Sequence, residues 1–358
     1  MATVESAEVL VTLGIDTHLD RHVAVALDQF GRRLGVLMFP TTPDGHSQLE
    51  SWAYGFGTLT QVGMEGTGSL GAGLARWLGS RGHSVLEVNR PDRQARRRAG
   101  KSDPLDAEAA ARAAQAGTVV GSPKSGDGQV EMIRALRVAR RSAVKARTQA
   151  ANQLHALVVT APDELRSSLR KLGIPTLVAT ASRWRAGNCP NTPLAATRFA
   201  MKSIALRHRQ LSAEIATLDV QLDRLVAEAA PTLLALKGVG TETAACLLVA
   251  AGDNPERLRS EGAFAHLCGV APIPASSGRT NRHRLNRGGN RAANCALYML
   301  TLSRMAWEPR TREYVARRTA EGKTKPEIIR CLKRHIAREI YRAIKEAPSF
   351  SLPAADAA

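Results

Sequence analysis

Near the N-terminus the hydrophobic pattern has the short period of β-structure. Residues 9–16 (VLVTLGID) are apolar and β-branched and run into an acid, which predicts a buried strand ending at Asp16. Residues 22–28 and 34–39 repeat the pattern, with turns at Gln29-Phe30-Gly31 and Pro40, so the three predict an antiparallel meander. A helix over 43–54 follows, then a strand over 59–64 that ends at Glu65 before Gly66-Thr67-Gly68. Residues 70–80 place Leu70, Leu74, Trp77 and Leu78 on one helical face, and 83–88 read as a fifth strand. A helix beginning at Asp103 runs through Ala116. This order predicts a mixed α/β sheet, with acids at the ends of the first and fourth strands, where α/β catalytic sites collect.

After a Pro/Gly/Ser linker at 121–128 the period becomes helical. Residues 129–161 predict one long helix whose apolar positions Ile133, Leu136, Leu154 and Leu157 are sparse. No acid lies between Glu131 and Asp163, while Arg134, Arg137, Arg140, Arg141, Lys145 and Arg147 do, which points to a face lying along nucleic acid. Residues 162–195 read as irregular, broken by Pro175, Pro190 and Pro193. In a second long helix over 196–229, Ile204, Leu211, Ile215, Leu218, Leu222 and Leu225 form a coiled-coil-like seam, for an antiparallel pair or an oligomer contact.

Further on, Leu236-Lys237-Gly238-Val239-Gly240-Thr241 resembles the hairpin of a helix-hairpin-helix motif, or is a plain glycine turn between helices. Ser276-Ser277-Gly278 opens a loop carrying Arg279, Arg282, Arg284, Arg287 and Arg291. Helices over 290–305 and 325–347 follow, the last with Ile329, Leu332, Ile336, Ile340 and Ile344 on one stripe, and an Ala/Pro tail after Pro348 is expected to be disordered.

Charge decides the class of partner. The 358 residues carry 50 Lys plus Arg against 32 Asp plus Glu, a formal net charge of +18, so the expected partner is an anionic polymer. No basic helix carries an aromatic anchoring face, no apolar run approaches membrane-spanning length, and no signal region opens the chain. The five cysteines are scattered without a Cys-x-x-Cys pair, which speaks against a disulfide framework or zinc knuckle and for a reducing cytoplasm.

The candidate chemistry centres on Lys101-Ser102-Asp103-Pro104-Leu105-Asp106. Two carboxylates three residues apart open a helix, directly after a basic strip over 90–101 that includes Arg96, Arg97, Arg98 and Lys101. The same residues make a helix cap, with Ser102 or Asp103 as the capping residue and Pro104 at the first helical position. A two-metal site on a phosphate backbone needs several carboxylates around ions about 4 Å apart, and Asp16, Glu65, Asp103 and Asp106 are the set on offer. A serine beside a glycine in a basic loop, Ser276 or Ser277, is a candidate nucleophile.

Together Gly14-Ile15-Asp16, Met64-Glu65-Gly66-Thr67-Gly68 and Lys101-Ser102-Asp103-Pro104-Leu105-Asp106-Ala107 resemble the Asp-Glu-Asp-Asp tetrad of the insertion sequence 110 family of transposases, relatives of the Piv invertases. The C-terminal half is similar through Gly238-Val239-Gly240, Gly269-Val270-Ala271-Pro272, Ser277-Gly278 with its Arg-rich loop, and Leu297-Tyr298-Met299. The resemblance implies a RuvC-like, ribonuclease-H-type domain over 1–123, a helical coiled-coil region over 124–229, a transposase domain over 230–347 and a disordered tail over 348–358. It implies a DNA recombinase guided by a structured bridge RNA, Mg²⁺ on Asp16, Glu65, Asp103 and Asp106, and a covalent phosphoserine link through Ser277, with Ser276 one position away. It also implies action on donor and target DNA in the bacterial nucleoid by a homo-oligomer, dimer to tetramer, with composite sites between subunits. Arg96, Arg97, Arg98, Lys101, Arg134, Arg137, Arg141, Lys145, Arg279, Arg282, Arg284 and Arg287 are the expected nucleic-acid contacts. An alternative activity is a RuvC-like structure-specific endonuclease that uses water as nucleophile.

Overall fold

A computed structural model describes residues 8–88, 102–117, 121–185, 191–254, 257–280 and 282–347. The described residues fall into two compact units, one within 1–128 and 252–259 and the other within 129–251 and 260–358.

The first unit is built on a five-stranded sheet of order β3-β2-β1-β4-β5, formed by β1 (Leu10–Asp16), β2 (Arg21–Leu27), β3 (Arg33–Pro40), β4 (Thr58–Met64) and β5 (Val85–Glu87). The meander β1-β2-β3 is antiparallel, as its hydrophobic alternation predicts, and β4 and β5 extend the sheet in parallel from β1. Side chains one residue apart leave a strand on opposite faces. Val11, Leu13 and Ile15 of β1 therefore join Val62 and Met64 of β4 under α1 (Pro43–Tyr54) and α2 (Ala72–Ser80), where Leu49, Ala53, Leu74 and Leu78 close the core.

The opposite face carries Val23, Val25 and Leu27 of β2 against Ala107 and Ala111 of α3 (Asp103–Gln115). Here helix and sheet meet almost backbone to backbone. A Cβ on Gly14 would lie 2.0 Å from the Ala107 carbonyl oxygen, and one on Gly63 would lie 2.4 Å from that of Ala110. The alanines of α3 and the two glycines are one packing device. A short segment from far along the chain also belongs to this unit: Arg257 Nε donates to the Ser122 carbonyl at 2.6 Å and Arg257 Nη2 pairs with Glu87 at 3.1 Å.

The second unit is helical. Its frame is α4 (Gln129–Thr160) and, after α5 (Asp163–Leu169) and α6 (Ile174–Ser182), the long α7 (Pro193–Ala229). Gln129 bonds Glu228, Arg140 pairs with Asp219, and Gln153 bonds Arg207. Partner numbers fall on one side as they rise on the other, so α4 and α7 run antiparallel.

The stretch expected to be irregular holds α5 and α6, whose Leu165, Leu169, Leu177, Val178 and Ala181 form a core with Leu154, Met201 and Ala205. Pro175 and Pro193 do not break structure; each sits in the first turn of a helix, where a missing N–H costs nothing.

The remainder comprises α8 (Pro231–Leu234), α9 (Thr241–Ala251), α10 (Glu261–Leu267), the small hairpin β6 (Ile273–Pro274) and β7 (His283–Arg284), α11 (Arg291–Trp307), α12 (Pro309–Ala320) and α13 (Lys325–Glu346). The predicted stripe of α13, Ile329 to Ile344, is buried throughout. Among the described residues no helix is long and apolar enough to cross a membrane.

Candidate active site

Strand parity places Asp16, and backbone bonds at the strand ends tie Glu65 beside it. Gly14 faces α3, so Asp16, two residues on, faces α3 as well, and Asp16 pairs across β1–β2 with Val23 of that same face. In parallel register Ile15 lies beside Met64, and the Glu65 N–H donates to the Ile15 carbonyl at 3.4 Å. Thr17 Oγ1 donates to the Glu65 carbonyl at 3.1 Å, so the backbones carrying Asp16 and Glu65 are tied together at the strand ends.

The first turn of α3 brings the other two. Ser102 occupies the capping position in an extended conformation but makes no side-chain capping bond, and Asp103 and Asp106 both lie within the first turn. The expected cap is thus positional only, with Asp103 the first helical residue and Pro104 the second. Asp106 shares the buried face of α3 with Ala107, Ala110, Ala111 and Ala114, whereas the Asp103 side chain is 48% exposed.

One imidazole joins this end of the sheet. His18 Nε2 lies 3.2 Å from Asp16 Oδ2 and 3.5 Å from Asp103 Oδ2, and ligand atoms of all three residues lie within 4.8 Å of one another. Glu65 and Asp106 are outside that group. Burial pushes the Asp16 carboxyl above its ordinary range, and the charges of Asp106 and Asp103 push the same way, against the pull of His18. Clustered carboxylates are stabilised by a cation, so the donor set fits a divalent ion.

His18 itself is held by its backbone N–H, which donates to His22 Nδ1 at 3.2 Å. Burial first, with His46 and His18 adding to it, pushes the His22 imidazole down to about 4, so it stays a neutral acceptor. His18 is not among the residues the sequence singles out; its signal is Asp-x-His, two ligand-type residues at a strand end.

In the second unit the serine loop is a hairpin. Ser277 and Thr280 exchange backbone hydrogen bonds of 3.1 and 3.0 Å, and Gly278 adopts a positive φ of 54° at the first central position, as a tight hairpin turn demands. The two serines differ. Ser276 Oγ accepts from the Arg282 N–H at 3.2 Å and so serves the hairpin, while among the described residues Ser277 Oγ has no hydrogen-bond partner. Ser277, Arg279, Arg282, Arg284 and Arg287 are all exposed.

The basic face of α4 divides. Acids absent from α4 arrive from other elements, so that Arg137 is 8% exposed and pairs with Glu242 at 2.6 Å, and Arg140 pairs with Asp219. Arg137 therefore faces inward, unlike the outward contact expected of it. Arg134 pairs with Glu131 at 2.6 Å on the surface, while Arg141 and Lys145 are exposed with no ion pair among the described residues. Arg96, Arg97, Arg98 and Lys101 lie outside the described residues. The predicted hairpin at 236–241 is a turn between α8 and α9, with Gly238 at φ 78° packed on Leu300 and the Lys237 carbonyl accepting from Arg304 Nε.

Carboxylates and an imidazole gathered at the strand ends of a mixed sheet define a candidate metal site in an α/β unit. Residues 13–161 match the DEDD-type transposase model of IS110, and residues 230–316 match the model for transposases of the IS116/IS110/IS902 family. All four acids lie in the first match and Ser277 in the second. The chain belongs to the IS110 family of transposases.

It is similar to the insertion element IS110 uncharacterized 43.6 kDa protein of Streptomyces coelicolor, 32% identical over 32% of this chain and 29% of that protein. It is also similar to the insertion element IS900 uncharacterized 42 kDa protein of Mycobacterium paratuberculosis, 27% identical over 52% of this chain. The match spans half of that relative's length, 50%.

Proposed function

We propose that this chain is the recombinase of an insertion element, which cuts and rejoins DNA through a covalent bond to Ser277 under the guidance of a structured bridge RNA. The observation that carries the reading is the hairpin. A serine hydroxyl uncommitted among the described residues stands at an exposed tip, flanked by Arg279, Arg282, Arg284 and Arg287, while its neighbour Ser276 is used to hold the turn. Arginine forks grip phosphate oxygens bidentately and would align a phosphodiester at that tip.

In the step proposed, Ser277 Oγ bonds to phosphorus while the bond from phosphorus to one deoxyribose oxygen breaks. The serine proton passes to the departing oxygen, which leaves as a hydroxyl. One phosphodiester replaces another, so the reverse attack by a different strand's hydroxyl reseals DNA without ATP. A bound Mg²⁺ would supply charge neutralisation at the phosphate and activation of the attacking oxygen. Asp16 and Asp103 would hold it, with Asp106 and Glu65 completing the tetrad.

The strand order β3-β2-β1-β4-β5, antiparallel then parallel, supports a RuvC-like, ribonuclease-H-type fold for the first unit. The antiparallel α4–α7 pair within one chain supports the coiled-coil reading, and assembly into a dimer or tetramer belongs to the proposed mechanism. Exposed Arg141 and Lys145, with the net charge of +18, support tracks for DNA and RNA backbones. We place the reaction in the bacterial cytoplasm, on chromosomal DNA.

The test is a denaturing gel of the full chain with its guide RNA and end-labelled DNA spanning the element's ends. Wild type and Ser276→Ala are expected to leave label attached to protein, and Ser277→Ala to leave none while still binding DNA. An adduct that survives Ser277→Ala and vanishes in Ser276→Ala moves the nucleophile. Cleavage with no adduct in any form supports a RuvC-like endonuclease using water, and cleavage indifferent to the RNA removes the guide.

A further inference from the structure

We propose that His18 is a protein ligand of the divalent ion at Asp16 and Asp103, and that its nitrogen tilts the site from Mg²⁺ toward Mn²⁺. The inference rests on the metal reading given under the proposed function and adds a residue outside the four acids.

The geometry is that of adjacent ligands. An octahedral ion with ligands at about 2.1 Å sets neighbouring ligand atoms about 3 Å apart. His18 Nε2 stands 3.2 Å from one Asp16 oxygen and 3.5 Å from one Asp103 oxygen, and no pair in the group exceeds 4.8 Å. The backbone that carries the imidazole is also fixed. The bend between β1 and β2 is pinned by the His18 N–H on His22 Nδ1, and His22 is buried at 1% exposure beside Phe39, with ring centroids 5.5 Å apart.

The chemical consequence follows from donor type. Mg²⁺ prefers carboxylate and water oxygens and gains little from an imidazole, whereas first-row transition ions gain a bond from it. Mn²⁺ accepts both oxygen and imidazole in octahedral geometry. A site with Asp16, His18 and Asp103 therefore discriminates between two ions that an all-carboxylate tetrad treats alike.

The experiment is Mn²⁺ titration of the full chain, without nucleic acid, followed by electron paramagnetic resonance, with pulsed measurement of nitrogen coupling on the bound ion. Wild type is expected to show imidazole nitrogen coupling. His18→Ala and the polar His18→Gln are expected to lose it and to weaken Mn²⁺ on the order of tenfold, with a smaller change for Mg²⁺ measured by competition.

Three results would overturn the assignment: no nitrogen coupling in wild type, coupling that persists in both variants, or equal losses for the two ions. The last would make His18 a counter-ion that only positions the carboxylates. In each of these cases Mn²⁺ binding still abolished by Asp16→Asn leaves the acidic site standing. Mn²⁺ binding indifferent to Asp16→Asn and Asp103→Asn refutes the metal site itself.

Discussion

The geometry of the acidic site depends on a glycine that touches no ligand, and Gly14→Ala tests this. An added Cβ would stand 2.0 Å from the Ala107 carbonyl oxygen, 2.3 Å from the Ala111 nitrogen and 2.8 Å from the Ala111 Cβ, against 3.4 Å for ordinary contact. Two of these atoms are helix backbone and cannot rotate away. Relief requires α3 to withdraw by about 1.4 Å, and overpacking of this kind costs about 1–3 kcal/mol.

The same displacement separates Asp103 from Asp16, because one rides on α3 and the other on β1. Functional constellations tolerate about 0.5 Å, so Mn²⁺ affinity is expected to fall on the order of tenfold or more. Urea denaturation followed by circular dichroism and Mn²⁺ titration measure the two effects. Gly73 is the control, since a Cβ there meets nothing within 4 Å. Gly73→Ala lies inside α2 and is expected to stabilise by about 0.5–1 kcal/mol with unchanged metal affinity. A Gly14→Ala protein with wild-type urea midpoint and metal affinity would refute the account of how α3 is seated.

Two further predictions concern charges away from the strand ends. Glu242→Gln leaves the buried Arg137 guanidinium without its carboxylate, and is expected to cost about 1–2 kcal/mol in urea denaturation, the solvent reach of Glu242 moderating the loss. Glu131→Gln, whose partner Arg134 is half exposed, should cost under about 0.5 kcal/mol; equal effects would contradict the inward role of Arg137. Glu50 is held below its usual carboxylate range by the hydrogen bond from Arg81, with His83 also bonding it at 2.7 Å. Because its folded pKa is depressed, this stabilisation is present above about pH 4.5 and fades as pH falls through the folded value, so Glu50→Gln should flatten the acid limb of a melting-temperature profile. An unchanged acid limb would show the pair to be inert.

The sheet was legible because β1 and β2 are buried on both faces and the strands are bounded by clear turns. Asp16 and Glu65 were legible for the same reason: each ends an apolar run. Parity then does what a one-dimensional pattern cannot, sending Asp16 toward α3. Leu70 shows the limit at helix starts. It shares a periodic stripe with Leu74 and Leu78, yet residues 66–71 form turns, with the Gly71 N–H bonded to the Gly66 carbonyl, and Leu70 is exposed. Pro175 and Pro193 hide helices in the sequence pattern, because a proline in a first turn reads the same as one in a break. Arg137 misled because charge was read within one helix, while its partner Glu242 lies more than a hundred residues away. His18 was overlooked because an imidazole two positions beyond an acid carries meaning only once Asp103 stands opposite.

The segment at 252–259 has a consequence for any attempt to treat this protein as modules. The chain leaves the first unit after residue 128, returns at 252, and departs again at 260. The return is secured: the Asn254 amide donates to the Pro123 carbonyl at 3.0 Å, and Arg257 binds both Ser122 and Glu87. The first unit is thus a discontinuous inheritance. A chimaera that exchanges it between relatives must splice at two places, and a cut after residue 128 strips a piece of the donor that no N-terminal boundary can recover.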